Sequence, residues 1–232
     1  MVSNGDRFEA AYNKIDALLR KMIGATRAIT FSAIVVEAAK KDPTIRAYKD
    51  DLLEYGDLRN AIVHDRGTSP VLLADPRAAV VENIEKIWDR LSHPKKLRSL
   101  TRRGSLRVFT VDAKLIELLS YMREKDFSQV IAVHNQKYLI VSTEGLAHWL
   151  EAKSKEEIID LAEAQLRDVI VFEPKDSCQY LSADDTIDRL REVFATDVGK
   201  RLFSVLVTEH GRPTETPINI VTPWDVVTGT LK

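Results

Sequence analysis

The sequence predicts two domains: an all-α four-helix bundle, then an α+β domain built from two strand-helix-strand-strand-helix repeats. Three observations predict this. The first 92 residues carry only three- and four-residue apolar spacing. After Pro94, short β-rich runs alternate with helical stretches. The second half also aligns with itself.

In the helical part, Phe8, Ala11, Tyr12, Ile15, Leu18, Leu19 and Met22 form one apolar stripe. A second helix over 28–40 turns Phe31, Ile34, Val35 and Ala38 inward. Asp42-Pro43 breaks it and starts a third helix that runs to 64, because proline is tolerated at a first helical position. Arg66-Gly67-Thr68-Ser69-Pro70 ends the third. A fourth begins near Asp75-Pro76, carries Ala79, Val80, Ile84, Ile87 and Leu91, and stops at His93-Pro94. Four antiparallel helices are the simplest packing of these stripes.

In the second half, Val130–Val133 and Tyr138–Val141 flank His134-Asn135-Gln136, which is a hairpin signal. Val205–Val207 and Ile218–Val221 repeat the arrangement around a longer polar turn, and each hairpin follows a helix. Leu97-Arg98-Ser99-Leu100 aligns with Leu166-Arg167-Asp168-Val169. Thr110-Val111-Asp112-Ala113 aligns with Ser182-Ala183-Asp184-Asp185, and Leu139-Ile140-Val141-Ser142 with Asn219-Ile220-Val221-Thr222. The expected parts are a helical domain over 1–94, a basic linker and first strand over 95–109, and repeats over 110–165 and 166–232. A unit of this size makes a small core, so the two repeats should pack on each other.

Composition excludes several classes. The chain has 232 residues, 44% apolar and 30% charged, as in ordinary globular proteins. Cys178 is the only cysteine, so no internal disulfide forms. Residues 1–25 are amphipathic and charged, unlike a signal peptide, and no run approaches the ~18 apolar residues of a membrane span. A cytoplasmic protein without membrane partners is expected. Charge is uneven: 95–109 holds six basic and no acidic residues, while 110–232 holds 14 basic and 21 acidic. The basic run either steers a polyanion or is a solvated linker, and no aromatic interleaves with its cations before Phe109.

The end of the second repeat carries a candidate site. Thr222 suits an N-cap and Pro223 the first helical position, so a helix start with free N–H groups should face an anion. Asp225 lies in the same first turn, where a carboxylate can accept from two neighbouring hydroxyls. Locally, an ordinary capped helix with a dipole-friendly acid fits the same residues.

With its repeat context, the segment Asn219-Ile220-Val221-Thr222-Pro223-Trp224-Asp225 resembles the closing motif of the CBS domain family, over residues 97–230. The resemblance implies a tandem pair that binds an adenine nucleotide (AMP, ADP or ATP) between repeats, through Thr222 and Asp225. Near the adenine it places Gln179, Tyr180 and Ser204. The first repeat keeps the hydroxyl as Ser142 but has Gly145 where the acid belongs, with Glu144 as a neighbouring substitute. One site is therefore expected rather than two.

In the helical domain, Arg59-Asn60-Ala61-Ile62-Val63-His64 groups polar residues at a helix end, and Asn60 and His64 share a face. The run resembles the Arg-Asn-x-x-x-His motif of HEPN domains, over about 5–92. That resemblance implies a metal-independent ribonuclease working as a homodimer on RNA. His64 would transfer the proton, Arg59 neutralise the phosphoryl oxygens and Asn60 orient the histidine or the phosphate. A structural network tying helices or subunits together accounts for the same three residues. Trp88, Trp149 and Trp224 are expected to pack helices, and no metal-ligand cluster is apparent.

Overall fold

The computed structural model of the chain describes residues 2–63, 75–100, 106–154, 159–174, 177–196 and 204–228. It divides into two compact units, Met1–Lys95 and Lys96–Lys232.

The regular structure described in the first unit is helical. α1 (Asn4–Ile23) starts at Ser3, whose Oγ accepts from the Asp6 N–H at 3.1 Å. It ends at Gly24, left-handed at φ 68°, a conformation that glycine adopts without strain. Thr30 caps α2 (Phe31–Lys41), which ends at Asp42. The Asp42 carboxylate then caps α3 (Pro43–Ala47), accepting from the Ile45 N–H at 3.0 Å.

The third helix expected from the sequence is in fact two, because α4 (Lys49–Val63) begins after a break at Tyr48. The ladder almost continues through the break. Tyr48 N–H donates to the Thr44 and Ile45 carbonyls, and Leu52 N–H donates to Tyr48 O at 2.9 Å. Apolar periodicity survives such a kink, so sequence spacing could not reveal it. α5 (Ala78–Ser92) buries Val81, Ile84 and Ile87 against Phe8, Ile15 and Ile34. Phe8 meets the Tyr55 ring edge-on at 5.8 Å.

Among its described residues the second unit holds two three-stranded sheets with the same topology. The first repeat holds β1 (Val108–Thr110), α6 (Leu115–Lys125), β2 (Gln129–His134), β3 (Lys137–Ser142) and α7 (Thr143–Lys153). The second holds α8 (Leu166–Ile170), β4 (Cys178–Ser182), α9 (Ile187–Thr196), β5 (Ser204–Thr208), β6 (Asn219–Val221) and α10 (Pro223–Val227). In each sheet the first strand runs parallel to the middle one and the third antiparallel. The β2–β3 hairpin turns at Asn135 and Gln136, both at positive φ, which matches the twist of a tight hairpin. The two sheets meet through Ile131, Ile140 and Leu206, with Val108, Tyr180 and Ile220 at the margin.

The aligned leading segments are exchanged between repeats. A single 3-10 turn, Leu97–Ser99, lies on the second repeat: Leu97 N–H donates to Asp185 O and Arg98 N–H to Ala183 O, both at 2.8 Å. α8 lies on the first repeat in the same way. Leu166 N–H donates to Ala113 O at 3.0 Å and Arg167 N–H to Val111 O at 2.9 Å. Leu97 and Leu100 enter the second repeat's core, and Leu166 and Val169 enter the first's. Burial of these four apolar side chains drives the exchange.

Candidate functional site

β6 delivers Thr222 to the N-cap of α10, with Pro223 at the first helical position and Asp225 in the first turn. The Thr222 N–H and Oγ1–H donate to Asp225 Oδ2 at 2.9 and 2.7 Å. Thr222 and Asp225 both line a cavity of about 320 Å³. Its other wall comes from the first repeat, with Tyr121, Phe127 and the start of β2, and Arg107 stands at its edge. The Arg107 guanidinium carbon lies 4.5 Å from the Phe109 ring centroid and 5.1 Å from that of Tyr121, so a cation is held over an aromatic surface.

The sequence-derived residues separate here. Thr222 and Asp225 come together on the cavity, while Gln179, Tyr180 and Ser204 do not line it. Gln179 is in register with Val205 inside the sheet. Tyr180 donates its hydroxyl to Tyr138 O. Ser204 is fully buried and in register with Cys178, whose thiol burial pushes up to about 12. Trp224, expected to pack a helix, is instead 69% exposed and lines the cavity, while Val226 on the same five-residue helix packs against the second repeat's core.

The first repeat differs at the corresponding place. Ser142 caps α7 and its Oγ accepts from the Gly145 N–H at 3.1 Å. The acid at this position is neither residue 145 nor Glu144 but Glu173, which follows α8. Ser142 N–H donates to Glu173 Oε1 at 2.8 Å and Ser142 Oγ–H donates to Oε2 at 2.9 Å. Burial raises the Glu173 carboxyl above its ordinary value, against the lowering effect of the Ser142 bonds and of His148. The separation of 31 residues hid this partner from motif reading.

In the helical unit, Arg59 and Asn60 line a second cavity of about 360 Å³, together with Tyr12, Asp16, Arg20 and Arg27. Among the described residues the buried Arg59 Nε meets no hydrogen-bond partner, and its guanidinium carbon lies 5.8 Å from the Tyr12 ring centroid. Asp16 pairs with Arg20 at 2.8 Å through one oxygen, and its other oxygen is buried without a hydrogen bond among the described residues. Burial, with the negative charge of Asp16, raises the Tyr12 hydroxyl to about 12. His64, the third member of the motif, lies outside the described residues. Among the described residues no three His, Cys, Asp or Glu side chains gather as metal ligands, and no helix is long and apolar enough to cross a membrane.

By sequence, no family profile and no curated relative matches this chain. Solved structures similar to it include CBS domain-containing proteins. CBSX2 in complex with AMP is 15% identical at a TM-score of 0.42, covering 59% of this chain and 96% of that one. CbpB in complex with c-di-AMP is 14% identical at 0.43, covering 64% and 91%. A CBS domain-containing protein from Thermotoga maritima is 14% identical at 0.38, covering 59% and 94%.

Proposed function

We propose that residues 96–232 form a CBS-type pair that binds an adenine nucleotide (AMP, ADP or ATP) in the cavity at Thr222 and Asp225. Asp225 accepts from the ribose hydroxyls. Arg107 meets the phosphate charge, and the base lies against the aromatic edge formed by Tyr121, Phe127 and Trp224. One observation carries this reading. Thr222 and Asp225 of the repeat's closing motif stand on one cavity whose opposite wall belongs to the other repeat. About 320 Å³ lies at the lower end of the range for small-molecule sites. Thermal unfolding of the full chain, with and without AMP, ADP, ATP and GMP, tests it. A ligand at 100 times its Kd adds about 2.7 kcal/mol to the folded state, so at least one adenine nucleotide should raise the midpoint by several degrees. No rise with any of them at millimolar concentration rejects the reading.

The helical unit, on this proposal, is a HEPN-type metal-independent ribonuclease domain of a homodimer, and the nucleotide regulates it. What supports this is the shared cavity of Arg59 and Asn60 and the unsatisfied Arg59 Nε, a donor that a phosphate oxygen would satisfy. Regulation requires that the nucleotide bind two arrangements of the dimer with different affinity. A second reading is a non-catalytic dimerisation scaffold, favoured by the packing of Arg59 over Tyr12. Incubation with RNA, with and without nucleotide, separates the two. Cleavage lost in Arg59→Ala and His64→Ala supports the enzyme. Cleavage unchanged in His64→Ala rejects the site, and no cleavage under any nucleotide supports the scaffold.

A further inference from the structure

The two repeats make the same pair of hydrogen bonds with acids from different places. In the second repeat, the cap residue's N–H and hydroxyl go to Asp225, three positions on in the same helix. In the first, they go to Glu173, which lies beyond α7 and α8. The helical position equivalent to Asp225 is Gly145. A Cβ added there would lie 1.9 Å from Glu173 Oε1 and 2.4 Å from its carboxyl carbon. Gly145 is buried and its backbone is helical, without positive φ, so the conformation itself does not require glycine. The Glu173 carboxylate occupies the space, so a side chain at 145 fits only if that carboxylate moves and gives up its two bonds to Ser142.

We infer that Glu173 is the transposed acid of the first repeat: its carboxylate fills the space left by Gly145, seals the start of α7 against a nucleotide, and leaves the chain one nucleotide site. The sealing carboxylate belongs to the segment between α8 and β4. It therefore also fastens the second repeat's leading segment to the first repeat. The part of this inference that concerns nucleotide rests on the function proposed above; the part that concerns the cap does not.

The test is a cycle of Gly145→Ala and Glu173→Ala in the full chain, read by thermal midpoint without nucleotide. Alanine inside a helix is ordinarily favoured over glycine by about 1 kcal/mol. Here Gly145→Ala alone should lower the midpoint, because the new methyl displaces the Glu173 carboxylate from its two bonds with Ser142. In the Glu173→Ala background the same substitution should raise it. The same sign in both backgrounds overturns the inference. Should Gly145→Ala fail to fold, Gly145→Ala with Glu173→Ala, compared against Glu173→Ala, still gives the second sign, and a fall there is the overturning result. Calorimetric titration of the wild type with AMP and ATP gives the stoichiometry. One per chain is expected, and two per chain overturns the sealing. No binding at all rejects the proposed nucleotide site, while the midpoint cycle still decides the role of Glu173.

Discussion

Asp225→Ala separates a ligand role from a capping role, because the structure assigns Asp225 both a cavity wall and a cap. Its Oδ2 accepts two bonds from Thr222, at 2.9 and 2.7 Å. Loss of a helix cap costs about 1 kcal/mol, so the unfolding midpoint should fall by only a few degrees. A carboxylate bond to a ribose hydroxyl is charge-assisted and worth about 1.5–3 kcal/mol net. Losing one such bond weakens affinity by about 10- to 100-fold. Calorimetric titration with AMP and ATP, run well below the variant's midpoint, keeps the two effects apart. Asp225→Asn retains an acceptor for Thr222 and should fall between wild type and alanine. Unchanged affinity in Asp225→Ala, with the midpoint lowered, would mean that this carboxylate is a cap and nothing more.

Other expectations follow from burial and charge. Glu173 has a raised carboxyl, so its folded form holds a proton more readily than its unfolded form, and its contribution to stability is present at low pH and lost as pH rises through the raised value. His148 on α7, itself beside Glu144, lowers that value in part, and Glu215 works in the opposite sense, with burial outweighed by bonds from His210 and Thr208 that hold it at about 2. The midpoint of wild type minus that of Glu173→Gln should therefore decrease as the pH rises from below the ordinary carboxylate range to above it, and an increase would contradict the burial argument. Leu206→Ala removes a fully buried side chain between the two sheets, so urea denaturation should show a loss of about 2–5 kcal/mol. Nucleotide binding near Trp224, 69% exposed on the cavity, should change its fluorescence, and Trp224→Phe should remove most of that change.

What could be read from the sequence is what depends on near neighbours. The β2–β3 hairpin was visible in His134-Asn135-Gln136, and the repeat in three aligned tetrapeptides. Thr222 and Asp225 were visible because a cap and its acid sit three residues apart. Glu173 was not, since nothing in Val171-Phe172-Glu173-Pro174 indicates that a glycine 28 positions earlier has left room for it. For Gln179, Tyr180 and Ser204, sequence position fixes the strand but not the cavity that a side chain reaches. Tyr48 hid a helix break because the apolar stripe passes through it.

The exchange of leading segments has a consequence for any attempt to divide the second unit. Cutting the chain between α7 and α8 would not yield two small folds. A fragment ending after α7 would carry Leu97 and Leu100 with no groove to receive them, and would lack Leu166 and Val169 to close its own. A fragment starting at α8 would suffer the mirror-image loss. Each half would therefore be left with a core missing two of its own side chains, and the two repeats are expected to unfold together.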